Sequence, residues 1–181
     1  VVQAPLAIWR AWKSGTYPAY SRERHGGRLA GRAVRVGSYG DPAAVPLSVW
    51  DEVCGAAGDW RGYTHQWRVC DPGIRKYCMA SCETPAQRDW AMALGYRTFR
   101  VRTKDQALEP GEIVCPASEE AGKRLTCAEC KACSGARDSK AAATVAIVVH
   151  GPKIAGNWRE KKYEEIVRLL TADEGGRFNL N

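Results

Sequence analysis

Cys127-Ala128-Glu129-Cys130-Lys131-Ala132-Cys133 sets three thiols at two-residue intervals, a spacing that lets all three turn toward one centre and hold a metal. C-x2-C-x2-C gives three different irons of a [4Fe-4S] cluster one thiolate each, the fourth coming from a remote Cys followed by Pro. Cys115-Pro116 provides such a pair on the upstream side. The order is the reverse of that pattern, and no x3-C-P continuation follows Cys133, so the match is partial. Zinc is the rival: Cys127, Cys130 and Cys133 with Cys115 or His150 make a closed tetrahedral site of four thiolates, or of three thiolates and an imidazole. A third reading is a set of reduced thiols in a mobile loop.

Eight cysteines in a chain of 181 residues also allow a disulfide framework. Three facts weigh against it. A chain of this length buries an ordinary core without staples, a signal-peptide core is not expected, and thiols at two-residue spacing are poorly placed to pair with one another. A reducing cytoplasm is the expected compartment. No apolar run approaches the roughly 20 residues of a membrane span, so a soluble protein without a membrane partner is expected. The sequence opens Val1-Val2-Gln3 with no methionine, and a fragment or a processed product is expected.

Charge is unevenly spread. Residues 1 to 40 carry Arg10, Lys13, Arg22, Arg24, Arg28, Arg32 and Arg35 against the single acid Glu23, and so hold most of the formal net charge of +7. Trp9, Trp12, Tyr17 and Tyr20 are interleaved among them. Cations that track phosphates and rings that stack on bases make this a candidate nucleic-acid surface, with Arg10, Lys13, Arg22, Arg24 and Arg28 as its contacts. The plainer alternative is a solvated face around a helix, with Pro5 in its first turn and Gly15 past its end. Residues 1–32 are read as this basic, aromatic, helical segment.

From residue 33 to 181 the elements that must position the thiols alternate. Strands are expected at 33–37, 62–67, 77–80, 97–101, 112–115 and 144–149. Helices are expected at 46–57, at 85–94 with Thr84 as N-cap and Gly95 as stop, and at 159–171. Such alternation implies parallel strands with crossover helices. The expected fold is α/β, a partial (β/α) barrel of the TIM type with a Cys-rich insertion at 115–140; a doubly wound open parallel sheet is the alternative.

In parallel barrels the active face lies at the C-terminal strand ends, and the unusual residues cluster there. Asp41 follows the first strand and is the candidate catalytic carboxylate, with His65 at the next strand end as its expected partner. Ser38, Tyr39, Gln66, Trp67, Arg102 and Lys104 are candidate substrate contacts at the same end. Asp41-Pro42 also makes an ordinary turn and helix lead-in, and polar tips also suit solvated loops.

Val36-Gly37-Ser38-Tyr39-Gly40-Asp41-Pro42, with Val45-Pro46 and Trp50 beyond, resembles the strand motif of a phage-encoded radical-SAM-like family. Tyr63-Thr64-His65-Gln66-Trp67, Cys78-Met79-Ala80-Ser81, Glu112-Ile113-Val114-Cys115-Pro116-Ala117 and residues 127–135 extend the pattern. Together they resemble a cysteine-rich family of phages and prophages over roughly residues 4 to 151. The resemblance implies a barrel enzyme, or its remnant, in the host cell of a phage or prophage. Nucleic acid or a nucleotide-derived molecule would be its substrate. No C-x3-C-x2-C occurs, so S-adenosylmethionine is expected only if an upstream segment carries that motif.

Guanine transglycosylases of tRNA and phage DNA are similar in chemistry, since they pair an aspartate nucleophile with a zinc held by three cysteines and a histidine. Cys127, Cys130, Cys133 and His150 would supply that zinc and Asp41 the carboxylate, although the cysteine spacing differs. A non-catalytic, zinc-bearing nucleic-acid-binding protein completes the set of readings.

Overall fold

Short runs rich in Val, Ile, Phe and Thr separated by helical segments favour strands that lie side by side in parallel, each reached by a crossover. In the computed structural model, which describes residues 3–122, 125–136 and 144–149 with Glu165 and Arg168, six strands form one all-parallel sheet. They are β1 (Ala33–Val36), β2 (Asp59–Thr64), β3 (Met79–Cys82), β4 (Thr98–Arg102), β5 (Glu112–Val114) and β6 (Thr144–Val148). Their order is β1-β2-β3-β4-β6-β5, so β6 lies between β4 and the edge strand β5. The fold is therefore α/β with a parallel sheet. The exchange of β5 and β6 departs from the sequential order of a (β/α) barrel. Of the helix expected at 159–171 only Glu165 and Arg168 are described, and His150 and the end of the expected insertion at Lys140 lie outside the described residues.

Helices α1 (Gln3–Lys13), α2 (Arg22–Leu29), α3 (Leu47–Ala56) and α4 (Pro85–Ala93) precede or connect the strands, with the single turn α5 (Cys127–Cys130) near the third thiol. α4 starts as its sequence requires: the Thr84 side chain accepts from the Gln87 N–H and Pro85 occupies the first turn. Its chain exits through Gly95 at φ +82°. β2 to β3 is bridged by a 3₁₀ turn, Pro72–Lys76, and β4 to β5 by a loop. Alternation with helices is thus incomplete.

Strand alternation sorts side chains onto two faces. Val34, Val36, Trp60, Ala80 and Cys82 pack on one of them with Leu47, Trp50 and Cys54 of α3 and Ala91 of α4. Both crossover helices therefore cover the same face. On the other face Tyr63, Met79, Phe99, Val101, Val145 and Ile147 pack against Cys115, Ala117, Ala132 and Cys133. Among the described residues, the cysteine segment covers that second face.

The helical face also buries a charge pair. Arg100 on β4 reaches across β6 to Glu112 on β5, with Nε to Oε1 at 2.8 Å and Nη2 to Oε2 at 2.7 Å. Small residues of β6, Ala146 opposite Arg100 and Thr144 opposite Glu112, leave the room. Burial pushes the Glu112 carboxyl up, but Arg100, the Glu109 N–H and Arg88 together hold it below its ordinary value. Two alternations were misread by two or three residues. β2 begins at Asp59 because Asp59 and Arg61 face each other at 3.4 Å and so enter the strand despite their charge. Tyr77 and Cys78 close the 3₁₀ turn, with the Cys78 N–H donating to the Ile74 carbonyl, and β3 starts after them.

Candidate metal centre

The metal-spaced thiols are placed by local signals. Thr126 and Glu129 form a reciprocal capping box that opens α5, so Cys127 and Cys130, three residues apart, share one side of a single turn. Lys131 then takes the left-handed conformation at φ 54° and turns the chain so that Cys133 comes back to the sheet. The Gly62 N–H on β2 donates to the Cys133 carbonyl at 3.2 Å. Gly135, at φ +73°, sits so close to the 3₁₀ turn that a Cβ there would stand 2.7 Å from the carbonyl oxygens of Arg75 and Lys76. Ala136 N–H donates to the Arg75 carbonyl at 2.7 Å. Only glycine passes through this notch.

Cys115, leaving β5, meets the other three around one small recess. Its walls are Arg61, Tyr63, Cys115, Pro116, Cys127, Cys130 and Cys133, with Ala117 and Ala132. Cys115 and Cys133 are buried, Cys130 is half-buried and Cys127 is exposed at the rim. Burial pushes the Cys133 thiol up to about 11; the neighbouring Tyr63 hydroxyl pulls the other way, and Cys115 and Cys130 push it further up. Burial also raises Cys115, with Cys127 and Cys130 adding to the rise. All eight cysteines are free, and among the described residues no group of three or more His, Cys, Asp or Glu side chains is arranged to hold a single metal ion.

Tyr63 is fixed by Phe99, with ring centroids 4.5 Å apart, and by Arg35 lying 5.7 Å over its ring. Burial, then Cys133, pushes its phenol far above the ordinary value. Arg61 and Tyr63 were not among the site residues expected from sequence. The signal that would have found them is strand alternation through Asp-Trp-Arg-Gly-Tyr-Thr, which puts 61 and 63 on the thiol face once β2 is started at Asp59.

The strand-end candidates gather elsewhere. The Asp41 Oδ1 accepts from the Ala43 N–H at 2.9 Å and from the Thr64 hydroxyl at 2.7 Å, and its Oδ2 accepts from the His65 N–H at 2.8 Å. It caps the 3₁₀ turn Pro42–Ala44 and fastens the end of β1 to that of β2. The His65 imidazole lies 4.0 Å from Asp41 and 3.8 Å from Glu83, with its side chain 64% exposed. Burial raises the Glu83 carboxyl, opposed by His65 and Arg68.

Trp67 is 3% exposed, its indole N–H donating to the Ser81 carbonyl at 3.0 Å, so its ring belongs to the core. Arg102 is buried and holds the carbonyls of Thr103 and Gln106 and the Glu120 carboxylate. Ser38, Tyr39, Gln66 and Lys104 are exposed.

In the basic segment Trp9, Trp12, Tyr17 and Tyr20 are all exposed, Trp12 at 66%, as are Arg10, Lys13, Arg24 and Arg28. The Lys13 ammonium lies 4.9 Å from the Trp9 ring centre. Arg22 is exposed too but is also engaged with α3, its Nη2 donating to the Gly55 carbonyl. Among the described residues no helix is long and apolar enough to cross a membrane. No protein-family model, curated protein or solved structure matches this chain.

Proposed function

We propose that this chain is a cysteine-ligated iron-sulfur protein that acts on nucleic acid, with a [4Fe-4S] cluster held by Cys115, Cys127, Cys130 and Cys133. The observation that carries the reading is the convergence of these four thiols on one recess. Zinc needs all four sulfurs about 2.3 Å from a single point. A cluster instead gives each thiolate its own iron, and the four cysteines that line the recess are the right number for that. The walls suit an anionic group as well, with Arg61 in the lining and Arg97 near enough to Cys133 to oppose the rise in its pKa.

With four thiolates all four irons are capped. Such a cluster carries electrons or stabilises the cover of the sheet; it has no open iron on which S-adenosylmethionine could bind, and these residues do not fit that cofactor. Base exchange is disfavoured too, because a carboxylate already accepting three hydrogen bonds, as Asp41 does, is a weak nucleophile. Among the described residues, helices α3 and α4 on one face of the sheet and the thiols on the other fit a barrel-like winding whose interior the cysteine segment fills. The exposed aromatic and cationic side chains of residues 6–28 are the proposed contact for a single strand, through phosphate pairing and base stacking.

The test is iron and acid-labile sulfide per chain after anaerobic purification, with Cys130→Ser beside the parent protein and Cys70→Ser as control. Loss of iron in Cys130→Ser but not in Cys70→Ser is expected, because an open coordination shell releases its metal. Unchanged iron in Cys130→Ser removes Cys130 from the site.

A further inference from the structure

Arg61 is an unusual residue to find under the cysteine segment. It is 7% exposed and lines the recess, yet only one hydrogen bond of its side chain stands out, a long 3.4 Å contact from Nη2 to Asp59. Its Nε is buried with no hydrogen-bond partner. A buried charged donor without an acceptor is destabilising and calls for a partner the protein atoms do not supply. Asp59 offsets part of the charge but its Oδ1 also accepts from the Trp60 N–H.

Three consecutive residues of β2 are directed at the same arm of the site. The Gly62 N–H holds the Cys133 carbonyl, Tyr63 packs against the cluster that contains Cys133, and Arg61, two residues back on the Tyr63 face, lines the recess with it. Arginine suits this place because its planar fork is more weakly hydrated than an ammonium and keeps its charge when buried.

We propose that Arg61 is a positioning residue that sets the reduction potential of the cluster: its buried guanidinium faces the cluster's sulfur atoms and stabilises the reduced form. This rests on the iron-sulfur reading. Reduction adds one electron and makes the cluster one unit more negative, with no bond broken and no proton required. A fixed positive charge and an N–H donor therefore favour the reduced state and raise the potential.

The experiment is a reductive titration with dithionite and mediator dyes on anaerobically prepared parent protein, Arg61→Gln and Arg61→Lys, each first assayed for iron and sulfide. At the parent's midpoint, Arg61→Gln is expected to raise the oxidised-to-reduced ratio at least about tenfold, which for a one-electron couple is ~59 mV. Arg61→Lys, which keeps the charge, is expected to recover more than half of that shift. A fully loaded Arg61→Gln protein that titrates with the parent overturns the proposal.

Should Arg61→Gln fail to hold iron, electron-nuclear double resonance on the reduced parent protein labelled with ¹⁵N-arginine decides the matter. A guanidinium nitrogen coupled to the cluster, lost in Arg61→Lys, is expected, and its absence overturns the proposal. A parent protein without iron and sulfide removes the cluster reading itself, an outcome distinct from a loaded cluster that ignores Arg61.

Discussion

Asp41, the candidate catalytic carboxylate, also fastens two strand ends together. Its oxygens take the Ala43 and His65 backbone N–H groups and the Thr64 hydroxyl, and Thr64 is fully buried. Removing the carboxylate leaves those donors without an acceptor, each worth about 1–3 kcal/mol when buried. Asp41→Ala should therefore lower stability by about 1–3 kcal/mol, read as a fall in the denaturant midpoint. His65→Ala, which removes a side chain that is largely in solvent, should change it by less than about 0.5 kcal/mol. Equal costs for the two substitutions would mean that His65 is as much part of the fastening as Asp41.

At the scale of elements, the cysteine segment is fastened by backbone at a place where the sheet leaves a gap. β3 begins only at Met79, so the Gly62 N–H is open to the Cys133 carbonyl, and Gly135 threads past Arg75 and Lys76. Gly135→Ala combines a left-handed φ with a backbone clash, and should cost at least about 1–3 kcal/mol. The measurement is thermal unfolding together with iron content, both of which should fall. Gly111→Ala, also at positive φ but with only the tip of Arg88 nearby at 4.0 Å, should retain its iron. Retention of full iron by Gly135→Ala would show that the notch does not hold the thiols.

Much of this layer was legible in the sequence. The Thr84-Pro85 start and Gly95 stop of α4 came from capping chemistry that acts within one turn, and the thiol spacing was visible for the same reason. The β5 and β6 exchange was not legible, because which strand pairs with which depends on contacts far apart in the chain. α2 was hidden by Gly26 and Gly27 in its middle. It forms because Ser21 caps it and because buried Gly26 lets it approach Ala56 of α3.

Across the whole molecule, the two proposed activities sit on different surfaces. The thiols cover one face of the sheet, whereas the cations and aromatic rings lie along α1 and α2, the latter docked on α3 through Arg22, Glu52 and Gly55. Binding that depends on phosphate neutralisation should weaken steeply with salt, the log-log slope being about −0.7 per phosphate contacted on a single strand. Fluorescence anisotropy with a labelled single-stranded oligonucleotide should show this slope. Charge reversal at Arg24 and Arg28 should flatten it by roughly one to two units, while Trp12→Ala should weaken binding by about 1–3 kcal/mol with the slope unchanged. Binding that ignores salt would leave the segment as a solvated face.

The central claim is that four thiols around one recess hold an iron-sulfur cluster, and the ultraviolet-visible spectrum of anaerobically purified protein tests it most directly. The account predicts a brown protein with a broad band near roughly 400 nm that bleaches on reduction with dithionite. A colourless protein carrying one zinc per chain, or no metal at all, would contradict it.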